Sequence, residues 1–371
     1  MMKIPFNIFN SFYLNNKEEI SKLSDEILQS GNYIRGKKTD ELEQELKKLT
    51  GRKYSLLTSS CTDALFLSLK AAGIKRGDEV IVTGFSYIAS LSPILMCDAI
   101  PVFVDICEND LMANFDEIEN NITEKTKAII FVQLFGNIRN LAKLEITARD
   151  KDITLIEDSA QALGSKYENN AGGSFGDISC ISFDPTKVVS AFGTGGVVLT
   201  DNVEVYNQLR KLVHHGRNEN SEFEILGYNS KIPELNCGLI SMQIKEIDNY
   251  INKVNQLADH YYKKLENISS VQIIIPDDRC ISNHHKLVIR IKNRDKLKNH
   301  LKECGIATKI HYPVLLSDHP LLKDYKFRKS SLKNAQNASQ SVLSLPIYPE
   351  LSVNEIDYIC QNISDYYNNQ E

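Results

Sequence analysis

The sequence lacks any uninterrupted apolar run of about 18 residues, the length that a membrane-spanning helix needs. Residues 1–16 also lack the long apolar core of a signal peptide. Basic charge is not in excess, because 43 Lys and Arg residues stand against 48 Asp and Glu residues. Nucleic-acid binding needs clustered basic charge. We therefore expect no nucleic-acid partner, no membrane partner and a cytoplasmic protein.

Paired cysteines are also missing. The eight cysteines are scattered, and no Cys-x-x-Cys pair occurs. A zinc site or a disulfide framework needs paired spacing or a small secreted chain. We expect no metal site, and we expect free thiols in a reducing compartment. Three of these cysteines lie in or beside apolar stretches and are predicted to be buried: Cys97, Cys107 and Cys180.

The length and composition are those of a globular protein with more than one core. The chain has 371 residues, of which 42% are hydrophobic and 25% charged, close to the average for soluble proteins. A chain of this length exceeds one ordinary core. We predict a large domain over residues 1–245 and a smaller domain over residues 246–371.

Local patterns predict an α/β fold in the first half. Residues 17–31 and 39–51 are amphipathic, and each segment ends in glycine, a common helix stop. Short β-rich runs then alternate with stretches long enough for a helix, which is typical of a mainly parallel sheet covered on both faces. These runs are KYSLLTSS, DEVIVTG, IPVFVDI, AIIFVQLF, ITLIEDSA, ISCISFD and GGVVLTD.

The second half predicts a smaller α+β unit. Residues 241–266 show apolar positions at helical spacing and predict one long helix that bridges the two parts. The remaining segments predict three strands, in VQIIIP, HKLVIRI and IATKIHY, and two helices, in NRDKLKNHLKECG and VNEIDYICQNISDYYN.

Two charged residues end predicted strands. Ligands of a parallel α/β sheet bind beyond the carboxyl ends of the strands. Asp158 follows ITLIE at that end, where it is either a helix N-cap or a functional carboxylate. Lys187 follows ISCISF and precedes a glycine-rich segment. The lysine either points into solvent or lies in a pocket, where a desolvated amine becomes a nucleophile toward a carbonyl.

Small hydroxyl residues and one aromatic residue end two further strands. Ser60, Cys61 and Thr62 stand at a strand-to-helix turn, where they form either an ordinary helix cap or a cup for an anion. Tyr87 offers a ring either to the core or to a cofactor. Neither a Walker loop nor a G-x-G-x-x-G fingerprint is present. An anion cup, a ring, a carboxylate and a lysine together match what pyridoxal phosphate requires.

A series of segments, in register along nearly the whole chain, resembles the sugar aminotransferases of the DegT/DnrJ/EryC1/StrS group. This group has the aspartate-aminotransferase-like fold (fold type I) of pyridoxal-phosphate enzymes, with a large, mainly parallel domain and a smaller α+β C-terminal domain. The segments are GNYIRGKKTDELEQEL, TSSCTDALFLSLKAAGIKRGDEVI, IPVFVDI, LIEDSAQALGS, GGSFGDISCISFDPTK, GTGGVVLT, HGR, GYNSKIPELNCGLISMQI, IHYPV and LSLPIYP.

The resemblance implies a role for each matching residue. Lys187 resembles the lysine that holds pyridoxal 5'-phosphate as an imine, and Asp158 resembles the partner of the pyridine nitrogen. Gln161 matches the residue near the phenolic oxygen, and Tyr87 matches the ring stacked on the pyridine. The positions that match the phosphate site are Ser60, Cys61, Thr62 and Ser182, where Cys61 replaces the usual glycine.

The resemblance also implies partners. Asn229 matches an asparagine that reaches the phosphate from a second subunit, which implies a homodimer with shared active sites. His311 and Tyr312 match the motif near the sugar. The expected reaction moves an amino group from L-glutamate to a nucleotide-linked keto-6-deoxyhexose, with dTDP as the carrier and C-3 favoured over C-4. The product would serve O-antigen, lipopolysaccharide or other deoxyaminosugar biosynthesis.

Two other functions remain open from the sequence. One is a non-catalytic or regulatory pyridoxal-phosphate protein of the same fold. The other is a nucleotide-sugar binding module that uses the same strand ends without the cofactor.

Overall fold

The computed structural model describes residues 2–368, which form helices and strands in two sheets of unequal size and a short third one. The helices are α1 (Ser11–Asn15), α2 (Lys17–Ser30), α3 (Lys37–Thr50), α4 (Cys61–Ala71), α5 (Ser92–Met96), α6 (Phe115–Asn121), α7 (Ala142–Asp150), α8 (Val203–Leu212), α9 (Glu234–Ile244), α10 (Ile247–Leu265), α11 (Arg294–Glu303), α12 (Lys333–Ser341) and α13 (Val353–Asn368). The strands are β1 (Tyr54–Thr58), β2 (Glu79–Thr83), β3 (Ile100–Val104), β4 (Thr126–Val132), β5 (Thr154–Asp158), β6 (Lys166–Tyr167), β7 (Asn170–Ala171), β8 (Ile178–Ser182), β9 (Gly196–Thr200), β10 (Val271–Ile273), β11 (Cys280–Ile281), β12 (Leu287–Ile291), β13 (Arg328–Lys329) and β14 (Val342–Leu345).

The main sheet has the strand order β1-β9-β8-β5-β4-β2-β3-β13. All neighbours pair in parallel from β8 to β13, and only β9 runs antiparallel to the strands beside it. Every residue of β2, β8 and β9 is buried, as expected for strands covered on both faces. The seven β-rich runs of the first half each contain one of these strands, so the predicted α/β class is confirmed.

Glycines end the first two long helices, as predicted. Gly31 follows α2 with φ +69°, and Gly51 follows α3 with φ +77°. This left-handed conformation costs a residue without a Cβ very little, and it ends a helix by turning the chain away from the helix axis.

The structure of the second half differs from the prediction in two places. The single helix predicted over residues 241–266 is wrong, because α9 ends at Ile244 and α10 begins at Ile247. The apolar spacing continues across this break, since Ile244, Ile247 and Ile251 share one buried cluster. The strand predicted in IATKIHY is also wrong, because the segment forms only isolated bridges, such as the one from Lys309 to Ser344. A strand that was not predicted, β14, takes the sheet position beside β12.

The small sheet has the order β10-β12-β14, with antiparallel neighbours. It shares a buried core with α10, α11 and α13, and Ile4 near the N-terminus packs into the same core. The predicted boundary at residue 245 falls in the turn between α9 and α10. Within residues 246–371, however, β13 pairs with β3, and the buried alanines of α12 pack into the core of the main sheet.

The structure of residues 2–368 also tests the predicted burial of three cysteines and the predicted lack of a membrane-spanning helix. Cys97 and Cys180 are buried free thiols, whereas Cys107 is only half-buried. None of the helices between residues 2 and 368 combines the length and the apolar character that crossing a membrane requires.

Candidate active site

A cavity of about 620 Å³ lies at the carboxyl ends of the central parallel strands and reaches the small sheet. It brings together all the predicted site residues except Asn229, from segments that are far apart in the sequence. Those that line it are Ser60, Cys61, Thr62, Tyr87, Asp158, Gln161, Ser182, Lys187, His311 and Tyr312. Their individual roles remain predictions at this point.

The anion cup forms where β1 leads into α4. Ser60 is the N-cap, and its hydroxyl accepts a hydrogen bond from the backbone N–H of Asp63 at 3.1 Å. Ser60 is thus a helix cap and also a cavity residue, so the two interpretations are compatible. The N–H groups of Cys61 and Thr62 have no partner within the helix, because the first N–H groups of any helix lack one. They are available to an anion, beside the hydroxyl-bearing Ser182.

Strand β9 passes directly behind this cup. A Cβ on Gly196 would lie 2.5 Å from the backbone nitrogen of Cys61 and 2.5 Å from the carbonyl carbon of Ser60. No side chain fits there without moving the start of α4. The cup therefore depends on a close approach of two backbone segments, which only glycine permits.

Asp158 ends β5 and has only 3% of its surface exposed. Its Oδ2 atom accepts a hydrogen bond from the Ser90 hydroxyl at 2.8 Å, and its Oδ1 atom accepts one from the N–H of Ala160 at 3.1 Å. The helix N-cap alternative is wrong, because a turn and not a helix follows. Burial raises the pKa of Asp158, while the two hydrogen bonds and the charge of Lys187 act in the opposite direction.

Lys187 lies in the loop after β8 and lines the cavity. It is only partly exposed, so it faces the cavity and not open solvent. Burial lowers the pKa of Lys187, and the charges of Cys61, Asp158 and Asp184 oppose that shift. A lysine in this environment is more readily deprotonated than one in water, which is the state in which an amine is a nucleophile.

Two tyrosines and a glutamine form a further part of the cavity wall. The Tyr87 ring is 58% exposed, so the core alternative for this residue is wrong. Its centroid lies 6.1 Å from that of Tyr312, with the planes tilted by 37°. Gln161 donates a hydrogen bond from Nε2 to the Tyr312 hydroxyl at 3.0 Å and accepts one at Oε1 from the N–H of Phe135 at 2.8 Å. The amide of Gln161 is therefore held in one orientation.

His311 completes the wall on the side of the small sheet. Its Nδ1 atom lies 2.9 Å from the hydroxyl oxygen of Ser344 in β14. Burial, together with the charges of Lys286, Lys309 and Lys187, lowers the pKa of His311 to about 3. The imidazole is therefore neutral at physiological pH.

Several residues of the cavity were not predicted. Ser86 and Ser90 lie with their hydroxyl oxygens 3.0 Å apart and extend the hydrogen-bond chain that leads to Asp158. Further lining residues come from the N-terminal segment and from segments next to the small sheet, among them Phe6, His285, Lys286 and Lys309. A spacing of four residues between the serines was the only local hint.

Asn229 does not line the cavity of its own chain. It is exposed, and its backbone forms an isolated bridge with His214. The same loop exposes two large apolar side chains, Phe223 at 73% and Leu226 at 83%. The predicted contact of Asn229 with a second subunit remains a prediction.

The residues of the cavity fit a phosphorylated pyridine aldehyde. Backbone N–H groups and hydroxyls are available to a phosphate, and a lysine with a lowered pKa is available to an aldehyde. The buried carboxylate of Asp158 has hydrogen-bond donors but needs a cation beside it to stay ionised. A protonated ring nitrogen would be that cation. Within residues 2–368, no cluster of three or more His, Cys, Asp or Glu side chains has the arrangement of a metal site.

Known proteins match the chain along its whole length. The family model for DegT/DnrJ/EryC1/StrS aminotransferases matches residues 15–364. The pleiotropic regulatory protein of Geobacillus stearothermophilus is 32% identical over 370 residues, with 99% of each chain covered. The dTDP-3-amino-3,6-dideoxy-α-D-galactopyranose transaminase of Aneurinibacillus thermoaerophilus is 31% identical, with 98% of this chain and 99% of that protein covered. Other relatives at 30% and 31% identity are named for UDP- and GDP-linked sugars.

Solved structures agree in fold. DesV of Streptomyces venezuelae, in complex with a ketimine intermediate, superposes with a TM-score of 0.95 at 28% identity, covering 99% of both chains. NtdA of Bacillus subtilis, with bound cofactor PMP, superposes with a TM-score of 0.90 at 26% identity, covering 98% of this chain and 85% of that chain. The predicted aspartate-aminotransferase-like fold and the predicted family are both confirmed. The chain belongs to the DegT/DnrJ/EryC1/StrS aminotransferase family, a family of pyridoxal-phosphate-dependent sugar aminotransferases.

Proposed function

We propose that this aminotransferase moves an amino group from L-glutamate to C-3 of a dTDP-linked keto-6-deoxyhexose. The observation that carries the proposal is the placement of Lys187, Asp158 and the anion cup around one cavity at the sheet edge. The product would supply an amino sugar for O-antigen, lipopolysaccharide or another deoxyaminosugar product. The free thiols favour a reducing compartment, so we place the enzyme in the cytoplasm.

Pyridoxal phosphate, when bound, supplies an electron sink that lets a proton leave the carbon bearing the amino group. The chain supplies three binding functions for it. The start of α4, with Ser60, Cys61 and Thr62, would hold the phosphate together with Ser182. Tyr87 would stack on the ring, and Gln161 would interact with the phenolic oxygen.

Asp158 keeps the ring nitrogen protonated in this proposal. Its carboxylate is fixed by Ser90 and by the N–H of Ala160, so it cannot turn away from a cation placed beside it. Burial strengthens the attraction between the two charges, because little water remains to screen them.

Lys187 has two tasks. Its amine would hold the cofactor through the aldehyde carbon. Once free of the cofactor, the same amine would act as a general base that accepts and returns a proton. The lowered pKa of Lys187 suits both tasks, because each requires the deprotonated amine.

Three observations support the choice of acceptor. His311 and Tyr312 line the same cavity as Lys187, where they would contact a sugar. The segments IHYPV and LSLPIYP resemble C-3 aminating members slightly more than C-4 aminating ones. The Aneurinibacillus relative named for a dTDP-linked 3-amino sugar agrees with that preference.

We further propose a homodimer in which Asn229 of each chain completes the phosphate site of the other. The exposed side chains of Phe223 and Leu226 lie in the same loop as Asn229 and would be covered by such an interface. Large exposed apolar side chains at this density favour a contact surface.

A panel of keto sugars tests the proposed function. The enzyme is mixed with L-glutamate and with dTDP-, UDP- and GDP-linked keto sugars, and each product is analysed for the position of its amino group. A dTDP-linked 3-amino product is expected, and the variant Lys187→Ala is expected to be inactive with every acceptor. A preferred UDP or GDP carrier, or an amine at C-4, would contradict the finer proposal and leave the aminotransferase activity standing.

A regulatory protein that binds the cofactor without turnover is the second candidate. The name of the Geobacillus relative is the observation that favours it. Absorbance of the bound cofactor separates the two functions, because glutamate changes the spectrum of an aminotransferase and leaves that of a non-catalytic binder unchanged.

A further inference from the structure

Two lysines that the proposed mechanism does not use lie at the mouth of the cavity. The ammonium nitrogen of Lys286 lies 5.5 Å from the centroid of the Phe6 ring, and that of Lys309 lies 5.1 Å from the same centroid. All three residues line the cavity that contains Lys187. We refer to Lys286 and Lys309 as the rim lysines.

The backbone at each rim lysine is fixed by main-chain hydrogen bonds. Lys286 donates its N–H to the carbonyl of Phe135 at 3.1 Å, immediately before β12 begins. Lys309 donates its N–H to the carbonyl of Ser344 at 3.2 Å and accepts the N–H of Ser344 at 2.8 Å. These hydrogen bonds fix the backbone from which each lysine side chain extends.

The ring that both amines approach is also anchored. Two residues before Phe6, Ile4 donates to the carbonyl of Gly305 at 2.9 Å and accepts from the N–H of Ala307 at 3.0 Å. Phe6 is 7% exposed. Its ring lies within cation–π distance of both ammonium groups and therefore attracts both of them.

The rim lysines lack a permanent counter-ion. Among residues 2–368, neither amine has a carboxylate oxygen within 4.0 Å. Burial and the charges of Lys187 and Lys309 lower the pKa of Lys286 to about 7, and Asp184 opposes the shift. A bound anion would stabilise the protonated amine of Lys286, so this place in the cavity complements a negatively charged ligand.

We propose that Lys286, Phe6 and Lys309 form a carboxylate-binding subsite that orients a substrate in front of Lys187. The inference rests on the proposed aminotransferase function, because it assigns a binding contact to that reaction. The carboxylate comes from the side chain of the amino donor; an acidic sugar, the other source, would replace the 6-deoxyhexose proposed above as the acceptor. The start of α4 already serves the cofactor phosphate, and dTDP is used below to test a diphosphate at the rim.

Equilibrium titration calorimetry of the cofactor-loaded enzyme tests the subsite. Glutarate represents the side chain of the donor, and its control compound is butyrate, which lacks the second carboxylate. D-glucuronate represents an acidic sugar, and its control compound is D-glucose, which has no carboxylate. The wild-type enzyme is expected to bind one of the two acidic probes at least about tenfold more tightly than its control compound. If the variants described below lose affinity for glutarate alone, the subsite binds the donor. If they lose affinity for D-glucuronate alone, the subsite binds the sugar.

Substitutions of single lysines provide the comparison. Lys286→Met and Lys309→Met nearly keep the length of the side chain and remove its charge. Each variant is therefore expected to bind the preferred probe about tenfold more weakly than the wild type. Lys309→Arg keeps the charge and is expected to retain the affinity within about threefold. Lys292→Met, at an exposed position just after β12, is the matched control and is expected to bind like the wild type.

Three results would overturn the subsite: no preference of the wild type for either acidic probe, unchanged affinity in both methionine variants, or an equal loss of affinity for dTDP. The last result would identify a diphosphate contact instead. These measurements require no keto sugar. If the keto-sugar panel fails while the lysine variants still lose carboxylate affinity, the proposed acceptor is wrong and the subsite stands.

Discussion

Burial opposes the ordinary charge states of two residues that line the same cavity. The pKa of Asp158 is raised because its carboxylate lies away from water, and the pKa of Lys187 is lowered for the same reason. The charge of each group favours the charged form of the other. A charged ring nitrogen beside Asp158 would restore the ionised carboxylate, so the cofactor is expected to bind more tightly than its phosphate contacts alone would allow.

The variant Asp158→Asn tests the carboxylate. Turnover is expected to fall by about 10³-fold, roughly 4 kcal/mol of barrier, because an amide cannot hold the ring nitrogen protonated. The cofactor should still bind, since the phosphate site is intact. The measurement is the rate of the half-reaction with L-glutamate. Asp152→Asn, in the exposed turn before the same strand, is the matched control and should react like the wild type. A loss below about tenfold in the Asp158 variant would contradict the assignment.

The charge of Lys286 predicts a pH dependence of stability. Its pKa is about 7 in the folded chain against an ordinary value of 10.5, so between these values the unfolded chain binds more protons. The free energy of unfolding therefore rises with pH through this window, and the cost of the buried charge is fully present below pH 7. Lys286→Met removes that cost. The variant is expected to melt at a higher temperature than the wild type near about pH 6.5, and the difference should shrink near about pH 9.5.

Thermal unfolding of the cofactor-loaded proteins at the two pH values checks this expectation. Lys292→Met should show no pH-dependent difference, because Lys292 is exposed. A difference for Lys286→Met that grows with pH would show that the residue is not held with a lowered pKa.

Among the secondary-structure elements, the contact between β9 and the start of α4 controls the anion cup. Gly196 approaches only backbone atoms of Ser60 and Cys61, whereas a Cβ on its neighbour Gly195 would meet the end of the Ile232 side chain at 2.6 Å. A backbone contact cannot relax without moving a helix, but a side-chain end can turn aside. The two adjacent glycines therefore have different tolerances to substitution.

Gly196→Ala is expected to weaken cofactor binding by at least about tenfold and to lower the free energy of unfolding by about 1–3 kcal/mol, because overpacking displaces the first turn of α4. Gly195→Ala should have a clearly smaller effect on both quantities. Fluorescence titration of the cofactor-free protein with pyridoxal phosphate, together with denaturant unfolding, measures the two effects. Equal losses in both variants would contradict the proposed role of Gly196.

At the scale of the whole molecule, the cavity is shared between the two sheets. Asp158 ends a strand of the main sheet, and Lys187 lies in the loop after another. Lys286 lies next to β12, and His311 lies next to β14. In the N-terminal segment, Ile4 forms a bridge with Ile306 and packs into the core of the small sheet, and Phe6 lines the cavity. Asn229, in contrast, is exposed and does not line the cavity of its own chain, and we propose a second subunit as its partner.

Subunit mixing tests that assembly. Lys187→Ala and Asn229→Ala protomers are each expected to be nearly inactive alone. In a dimer with shared sites, each mixed dimer holds one site with both original residues, so free exchange should restore up to about a quarter of the wild-type activity. Sedimentation should show a dimer. A monomer, or no recovery despite demonstrated exchange, would contradict the shared site.

The sequence by itself determined the elements and the family. Strand runs such as ISCISFD and the glycines after α2 and α3 were predictable because burial and backbone geometry act over a few neighbouring residues. Asp158 and Lys187 were found because each directly follows such a strand. The break between α9 and α10 was not predictable, since the apolar spacing continues across it.

Only the tertiary structure decided which residues meet. Ser90 donates to Asp158 across 68 positions of sequence, and Phe6 lies within cation–π distance of lysines at positions 286 and 309. No local pattern marks such residues, because their contacts arise when strands from distant parts of the chain end at one edge of a sheet. The same physical reason explains why the sequence identified the chemistry of the cofactor site, whereas the rim lysines became visible only in the folded chain.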